Sequence, residues 1–299
     1  MFNLNSGIHL NEIKSSEVVI SLQKDVTVQD FYPKTMMKLT PYSFKVYEQD
    51  FENDIYFFTN TSHTWKSVVE VKINSLTEYI FLENAEKYFF GFYLGMLFLI
   101  IVYNLQWFKT LRELSYFYYA LFQVSMIITV LHSSGLVYEF NIYESTSSYY
   151  FPGVSAVISA ILFSKEFLEL KKFYPRINYF VNVSVVLLII AAIVAYVTKR
   201  FDFFAIPFSV IFAPFLFLGI VLYRNGYAPA KYFIIGWGVF IFSILLSDIN
   251  KIVGLEILSL HHLVHGHIVH VGNLLEAVII TFALSYKTRL LIEQKNEKE

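Results

Sequence analysis

Residues Ile268 to Tyr286 read IVHVGNLLEAVIITFALSY, and Lys287 to Glu299 follow as KTRLLIEQKNEKE. The apolar run has about the 20 residues needed to cross the hydrocarbon core of a bilayer. It carries a carboxylate, Glu276, near its middle. Asn273 lies three residues earlier, on the same helical face. The tail after Tyr286 is charged but keeps a helical rhythm, so it is expected to extend the same helix. A helix built this way can carry a change from one side of a membrane to the other.

The composition agrees with a membrane chain. Of 299 residues, 56% are hydrophobic and 16% charged, against about 25% charged in a soluble domain. Mean hydropathy is +0.52. The 31 Phe and 22 Tyr suit two interfacial aromatic belts. A net charge of -1 argues against a nucleic-acid partner. With no cysteine there are no disulfides, no thiolate chemistry and no Cys-ligated zinc.

Residues 1–85 differ from the rest. Val18–Leu22, Ser43–Tyr47, Asp54–Phe58 and Ser67–Ile73 alternate as strands do, and turn-rich pieces such as Asn60-Thr61-Ser62-His63 separate them. This predicts a β-rich segment, short for a complete sandwich. Met1–Lys14 has no basic region followed by an apolar one, so no signal peptide opens the chain.

Seven apolar spans follow, near 88–107, 114–135, 150–170, 177–197, 203–223, 231–253 and 268–286. Alternate loops differ in basic residues. One set holds Lys109, Arg112, Lys171, Lys172, Arg176, Arg224, Lys231, Lys287 and Arg289, while the other holds only Lys199 and Arg200. The basic set is expected to be cytoplasmic. That places the β segment outside and the C-terminus inside.

Several motifs then resemble, in order, the bacterial seven-transmembrane receptors with diverse intracellular signalling modules. They are Gly91–Gly95 with Tyr103-Asn104-Leu105, Arg112-Glu113 with Tyr116–Tyr119, Phe167-Leu168 with Pro175, Gly226–Phe233, and Gly272–Glu276 with Ala283-Leu284-Ser285. The resemblance covers residues 54–295. It implies an outer jelly-roll domain that binds carbohydrate or another small ligand, and a catalytic output module after the last helix. Only the later strands of such a sandwich precede the first helix here, and the chain stops at Glu299. Against that family the chain therefore reads as truncated at both ends.

The candidate residues fall into groups. Asn273, Glu276 and Asn104 are candidates for signal relay. Glu276 reads either as a switch inside the bundle or as a hydrogen-bonded packing residue, because a mid-membrane carboxylate needs a partner. His261, His262, His265, His267 and His270 form a histidine run at the outer mouth. It can be read as a zinc site, a pH sensor or a plain polar loop. Asp248 and Lys251, three apart, read as a local polar pair. Lys165 and Glu169 read as a solvated pair, and Tyr116, Tyr118 and Tyr119 as an interfacial belt. A retinal-type pump is not expected, since it would need a lysine deep in the last helix and the only lysine there, Lys287, sits at its exit.

The expectation is thus a membrane all-α seven-helix bundle over residues 86–287, after a partial all-β, jelly-roll-like extracytoplasmic segment over 1–85. Residues 288–299 begin a cytoplasmic linker. The expected role is a non-enzymatic receptor in the bacterial inner membrane. Its partners would be the lipid bilayer, a small extracytoplasmic ligand, a cytoplasmic signalling module or protein, and a second copy of the chain. No resident cofactor is expected, zinc at the histidines excepted. The alternatives are an intramembrane zinc hydrolase using the histidines with Asp248, and a passive scaffold.

Overall fold

The computed structural model describes residues 2–3, 17–22, 27–32, 37–40, 43–47, 56–60, 71–133, 146–198, 208–253 and 267–296. The chain divides into two compact units, residues 1–88 with 129–149, and residues 89–128 with 150–299.

The first unit contains two antiparallel sheets. Strands β2 (Glu17–Leu22), β4 (Met37–Thr40), β5 (Ser43–Tyr47) and β7 (Val71–Ser75) pair in the order β4-β5-β2-β7. Strands β1 (Phe2–Asn3), β3 (Thr27–Tyr32) and β6 (Tyr56–Asn60) pair in the order β1-β6-β3. The expected strands at 18–22 and 43–47 coincide with β2 and β5, which pair from Glu17 with Tyr47 to Ser21 with Ser43. Those at 54–58 and 67–73 overlap β6 and β7, and their first residues lie outside the described ones. Strand β3 was not expected. Its polar Gln29-Asp30 interrupts the apolar alternation, and its register shifts between Val28 and Asp30.

Seven helices of 17 or more residues occur among the described residues: α1 (Leu76–Leu111), α2 (Leu114–Ser133), α3 (Thr146–Phe167), α4 (Pro175–Thr198), α5 (Phe208–Arg224), α6 (Ala230–Val253) and α7 (Ile268–Asn296). Five contain stretches long and apolar enough to cross a membrane: Tyr79–Leu111, Leu114–His132, Pro175–Thr198, Ala230–Ile249 and Ile268–Leu290. α5 contributes a shorter apolar stretch, Val210–Arg224, with Pro214 inside the helix. α4 is the most apolar of the five and the least buried. Exposure of Phe180, Leu187, Ile190 and Val197 suits a helix that faces lipid on most sides.

Local chemistry explains the corners. α5 stops at a Schellman turn: Tyr227 N–H donates to Leu222 O at 3.0 Å, and Gly226 N–H to Tyr223 O at 3.0 Å. Gly226 takes the left-handed conformation (φ 93°) that such a turn requires. α3 ends differently. Its expected span ran to 170, but Glu169 is left-handed (φ 49°) and breaks the helix, so Leu170–Phe173 forms a separate helical turn before Pro175 opens α4. Arg112, between α1 and α2, is also left-handed (φ 57°). A non-glycine residue in that region costs of order 1 kcal/mol, so its surroundings must hold it there.

The interior of the second unit is aromatic. The Trp237 ring of α6 stacks on Phe212 of α5 at 4.7 Å and lies 5.4 Å from Phe122 of α2 and 6.4 Å from Phe163 of α3. α6 and α7 pack together more extensively than any other two elements. Glycine permits that contact. A Cβ on Gly272 would overlap Oγ and Cβ of Ser243, and a Cβ on Gly236 would lie 2.9 Å from the Ile280 tip. The α7 contacts also fix direction. Tyr93 meets Asn273 and Tyr103 meets Ser285, so α1 and α7 run parallel. Tyr119 meets Glu276 and Tyr116 meets Thr288, so α2 runs against them.

Candidate functional site

Along one side of α7, polar side chains are bonded to α1 and α2 at two levels. The upper level surrounds Glu276, which is fully buried, as are Asn273, Tyr93, Tyr119 and Gln123. Tyr119 Oη donates to Glu276 Oε1 at 3.2 Å. Gln123 Nε2, one turn along α2, donates to Tyr119 Oη at 2.8 Å and to Glu276 Oε2 at 3.4 Å. Asn273 Nδ2 donates to Glu276 Oε2 at 3.3 Å, and Asn273 Oδ1 accepts from Tyr93 Oη at 2.6 Å. Both carboxyl oxygens are therefore satisfied, entirely by neutral donors, two on α2 and one on α7 itself, and α1 joins through Tyr93 and Asn273. Gln123 Oε1 is buried without a hydrogen-bond partner. The network has one free acceptor beside its carboxyl group.

Lower on the same side, Ser285 Oγ and Tyr103 Oη lie 2.8 Å apart, and Thr288 Oγ1 and Tyr116 Oη 2.7 Å apart. Between them sits Lys287, whose side chain is only 4% exposed. Its ammonium donates to Glu113 Oε1 at 3.0 Å, to the Glu166 carbonyl at 3.2 Å and to Ser115 Oγ at 3.5 Å. It lies 3.8 Å from Glu169 Oε1 and 5.6 Å from the centre of the Phe167 ring. Lys287 follows Glu276 by about three helical turns, which brings the two onto one stripe.

Tyr227, in the α5–α6 turn, closes this lower site from another direction. Its hydroxyl donates to the Phe167 carbonyl at 2.8 Å and to Glu169 Oε1 at 3.4 Å. Burial, reinforced by the Glu169 carboxylate, raises its pKa far above that of an ordinary tyrosine, so it remains a neutral donor.

Several expectations change. Asn104 is fully buried but stands apart from Glu276, since its Nδ2 donates to Ile100 O of its own helix at 2.7 Å. Tyr116 and Tyr119 are interior residues, 1% and 0% exposed, because each has a hydroxyl partner on α7. Lys165 and Glu169 do not pair. The helix break at Glu169 turns its carboxylate toward Lys172 and Lys287, while Lys165 reaches Glu166 at 3.1 Å and Asn182 at 3.1 Å. Lys287 is an interior contact point rather than a loop charge. Composition alone could not show this. Its signal was its stripe with Glu276 and the acidic Glu113 and Glu169 at two helix ends.

His261, His262 and His265 lie outside the described residues, as does the Lys251 side chain. Asp248 is partly buried near the end of α6. His267 stacks on Phe89 at 4.3 Å, and His270 meets Phe90 at 5.5 Å and Tyr93 at 5.4 Å, edge to face. Among the described residues no group of three or more His, Cys, Asp or Glu side chains could hold a metal ion. Nothing there supports the zinc hydrolase.

The order of polar contacts along α7 sits within a longer likeness. The family model described as 7TM diverse intracellular signalling matches residues 86–287. The chain belongs to this family. No curated protein and no solved structure matches it. As a member of the 7TM diverse intracellular signalling family with several membrane-length apolar helices, it is a multi-pass membrane protein with a receptor-like signalling role. The family's domain is a signalling one, in keeping with a receptor rather than an enzyme.

Proposed function

We propose that the chain is a receptor in which α7 passes an extracytoplasmic signal to a cytoplasmic output module or partner protein. One observation carries this reading. The side of α7 that faces α1 and α2 is bonded to them by polar groups from mid-membrane, at Asn273 and Glu276, down to Lys287 and Thr288. Polar groups buried among membrane helices are rare and tend to mark functional paths. Such bonds have discrete partners, so they can define two registers of α7, which a switch requires.

In this reading residues 1–85 face outward and receive a small ligand, carbohydrate being the class that the sequence resemblance suggests. Residues 86–287 cross the inner membrane seven times, and 288–299 begin the linker to the output. The parallel run of α1 and α7, with α2 opposed, suits alternating crossings, and the basic loops supply the direction. A second copy of the chain would pair the two linkers.

Orientation is directly testable because the chain has no cysteine. Single cysteines at Ser62, Ser145 and Lys199 are expected to react with a membrane-impermeant thiol reagent on intact cells. Cysteines at Thr110, Asn225 and Asn296 are expected to react only after the membrane is opened. The basis is the excess of Lys and Arg in the second set of loops. Reversed labelling would overturn the direction of the proposed relay.

A further inference from the structure

Lys287 gathers the α1–α2 corner, the end of α3 and the turn that follows it. Glu113 and Ser115 belong to the α1–α2 corner, Glu166 and Phe167 to the end of α3, and Glu169 to the broken turn that follows. Tyr227, from the α5–α6 turn, holds the Phe167 carbonyl and Glu169 in place. Among the described residues two non-glycine residues are left-handed, Arg112 and Glu169, and both lie in these corners. Each turns a carboxylate toward the same ammonium, Arg112 by aiming its neighbour Glu113 and Glu169 by its own side chain. Both conformations are intrinsically unfavourable and persist only where surrounding contacts hold them.

The position of Lys287 along α7 matters as much as its partners. Above it α7 packs against α1, α2 and α6, and only one side, with Leu275, Val278 and Phe282, is exposed. Below it Arg289, Ile292 and Glu293 are exposed, and Arg289 bonds forward to Glu293 at 2.8 Å. Among the described side chains of α7, Lys287 is therefore the last buried charged one. The opposite side of α7 meets α6 through glycine-permitted, largely apolar contact, at Gly272 with Ser243 and at Gly236 with Ile280. Apolar contact tolerates sliding better than a charged group fixed by several oxygens does.

We infer that Lys287 is a latch: its ion pair with Glu113, supported by Glu169 and the Glu166 carbonyl, fixes the register of the α7 exit against the α1–α2 and α3 corners, and its release frees the tail to move with α6. The inference rests on the reading of α7 as the relay and assigns the point at which that relay is gated. A buried ammonium cannot leave one set of oxygens without finding another or reaching water, so the latch has a held state and a released state. Release would leave Glu113 and Glu169 facing solvent, where a cationic segment of an output partner could replace Lys287.

The test uses the full chain in lipid nanodiscs, with spin labels on cysteines replacing Thr110 at the end of α1 and Ile292 in the tail. The parent is expected to give one narrow distance population. Lys287→Met keeps the stem and removes the charge, and is expected to add a second, resolved population. Glu113→Gln, at a corner position that is 34% exposed, is expected to do the same with less risk to folding. Glu113→Lys combined with Lys287→Glu restores the pair with its charges exchanged, and is expected to return the single population. A merely structural lysine would lower the unfolding midpoint without altering the distances, and the exchange would not restore them. An unchanged distance distribution in folded Glu113→Gln and Lys287→Met overturns the latch. That result would leave the relay reading standing, because the relay is tested by a change at Glu276 and not at Lys287.

Discussion

Glu276→Leu is expected to insert normally in the membrane yet lower the stability of the helical unit by about 2 kcal/mol. The substitution removes the acceptor for three donors, from Tyr119, Gln123 and Asn273. Interhelical hydrogen bonds in membranes average about 0.6 kcal/mol each, so the two from α2 give about 1 kcal/mol, and leaving three buried donors without their acceptor brings the loss to about 2 kcal/mol. Insertion responds in the opposite direction, because a mid-membrane acidic residue costs roughly 3 kcal/mol and leucine costs none. Yield in the membrane should therefore be undiminished while the unfolding midpoint in detergent falls. Glu276→Gln keeps one acceptor and adds an amide that can donate to the unpartnered Gln123 Oε1. Its cost should be about 0.5 kcal/mol, within the range of single membrane hydrogen bonds. If the leucine variant unfolds at the parent's midpoint, the carboxylate does not tie α2 to α7.

Gly272→Ala should cost as much as the leucine variant although it adds a single methyl. The new Cβ meets Oγ and Cβ of Ser243, and the Cβ, fixed to the α6 backbone, cannot be cleared by a rotamer change. Overpacking of this kind typically costs 1–3 kcal/mol. Gly236→Ala is the internal control. Its nearest neighbour is the Ile280 tip at 2.9 Å, the far end of a flexible side chain, so its loss should be a small part of that at Gly272. Ser243→Gly in the Gly272→Ala background removes both colliding atoms and should recover most of the loss. The same ordering should appear in thermal unfolding of the purified full chain. Equal effects at the two glycines would contradict the close α6–α7 crossing.

The helices were legible because hydropathy alone separates about 20 apolar residues from charged loops. Glu276 was legible for the same reason, as a lone carboxylate in such a run. Its partners were not. Tyr119 looks like any belt tyrosine until α2 is placed beside α7, and Gln123 carries no pattern of its own. Lys287 was misread because a basic residue after an apolar span normally marks a cytoplasmic loop. Its burial depends on two corners made by Arg112 and Glu169, which adopt a conformation that sequence associates with glycine or asparagine. Strands β2 and β5 followed from alternation, while β3, with Gln29-Asp30 in its middle, carried too weak a pattern.

The central claim is that a change at mid-membrane on α7 reaches its exit. The most direct measurement is the Thr110-to-Ile292 spin-label distance in parent and Glu276→Leu, in the full chain in nanodiscs, with Lys287 and its partners intact. Glu276 and Ile292 are about 24 Å apart along the helix, so no label contacts the mutated site. The relay predicts that Glu276→Leu shifts the distance or adds a second population at the tail. A folded Glu276→Leu protein with the parent's distance distribution would contradict it, and would reduce Glu276 to a packing residue.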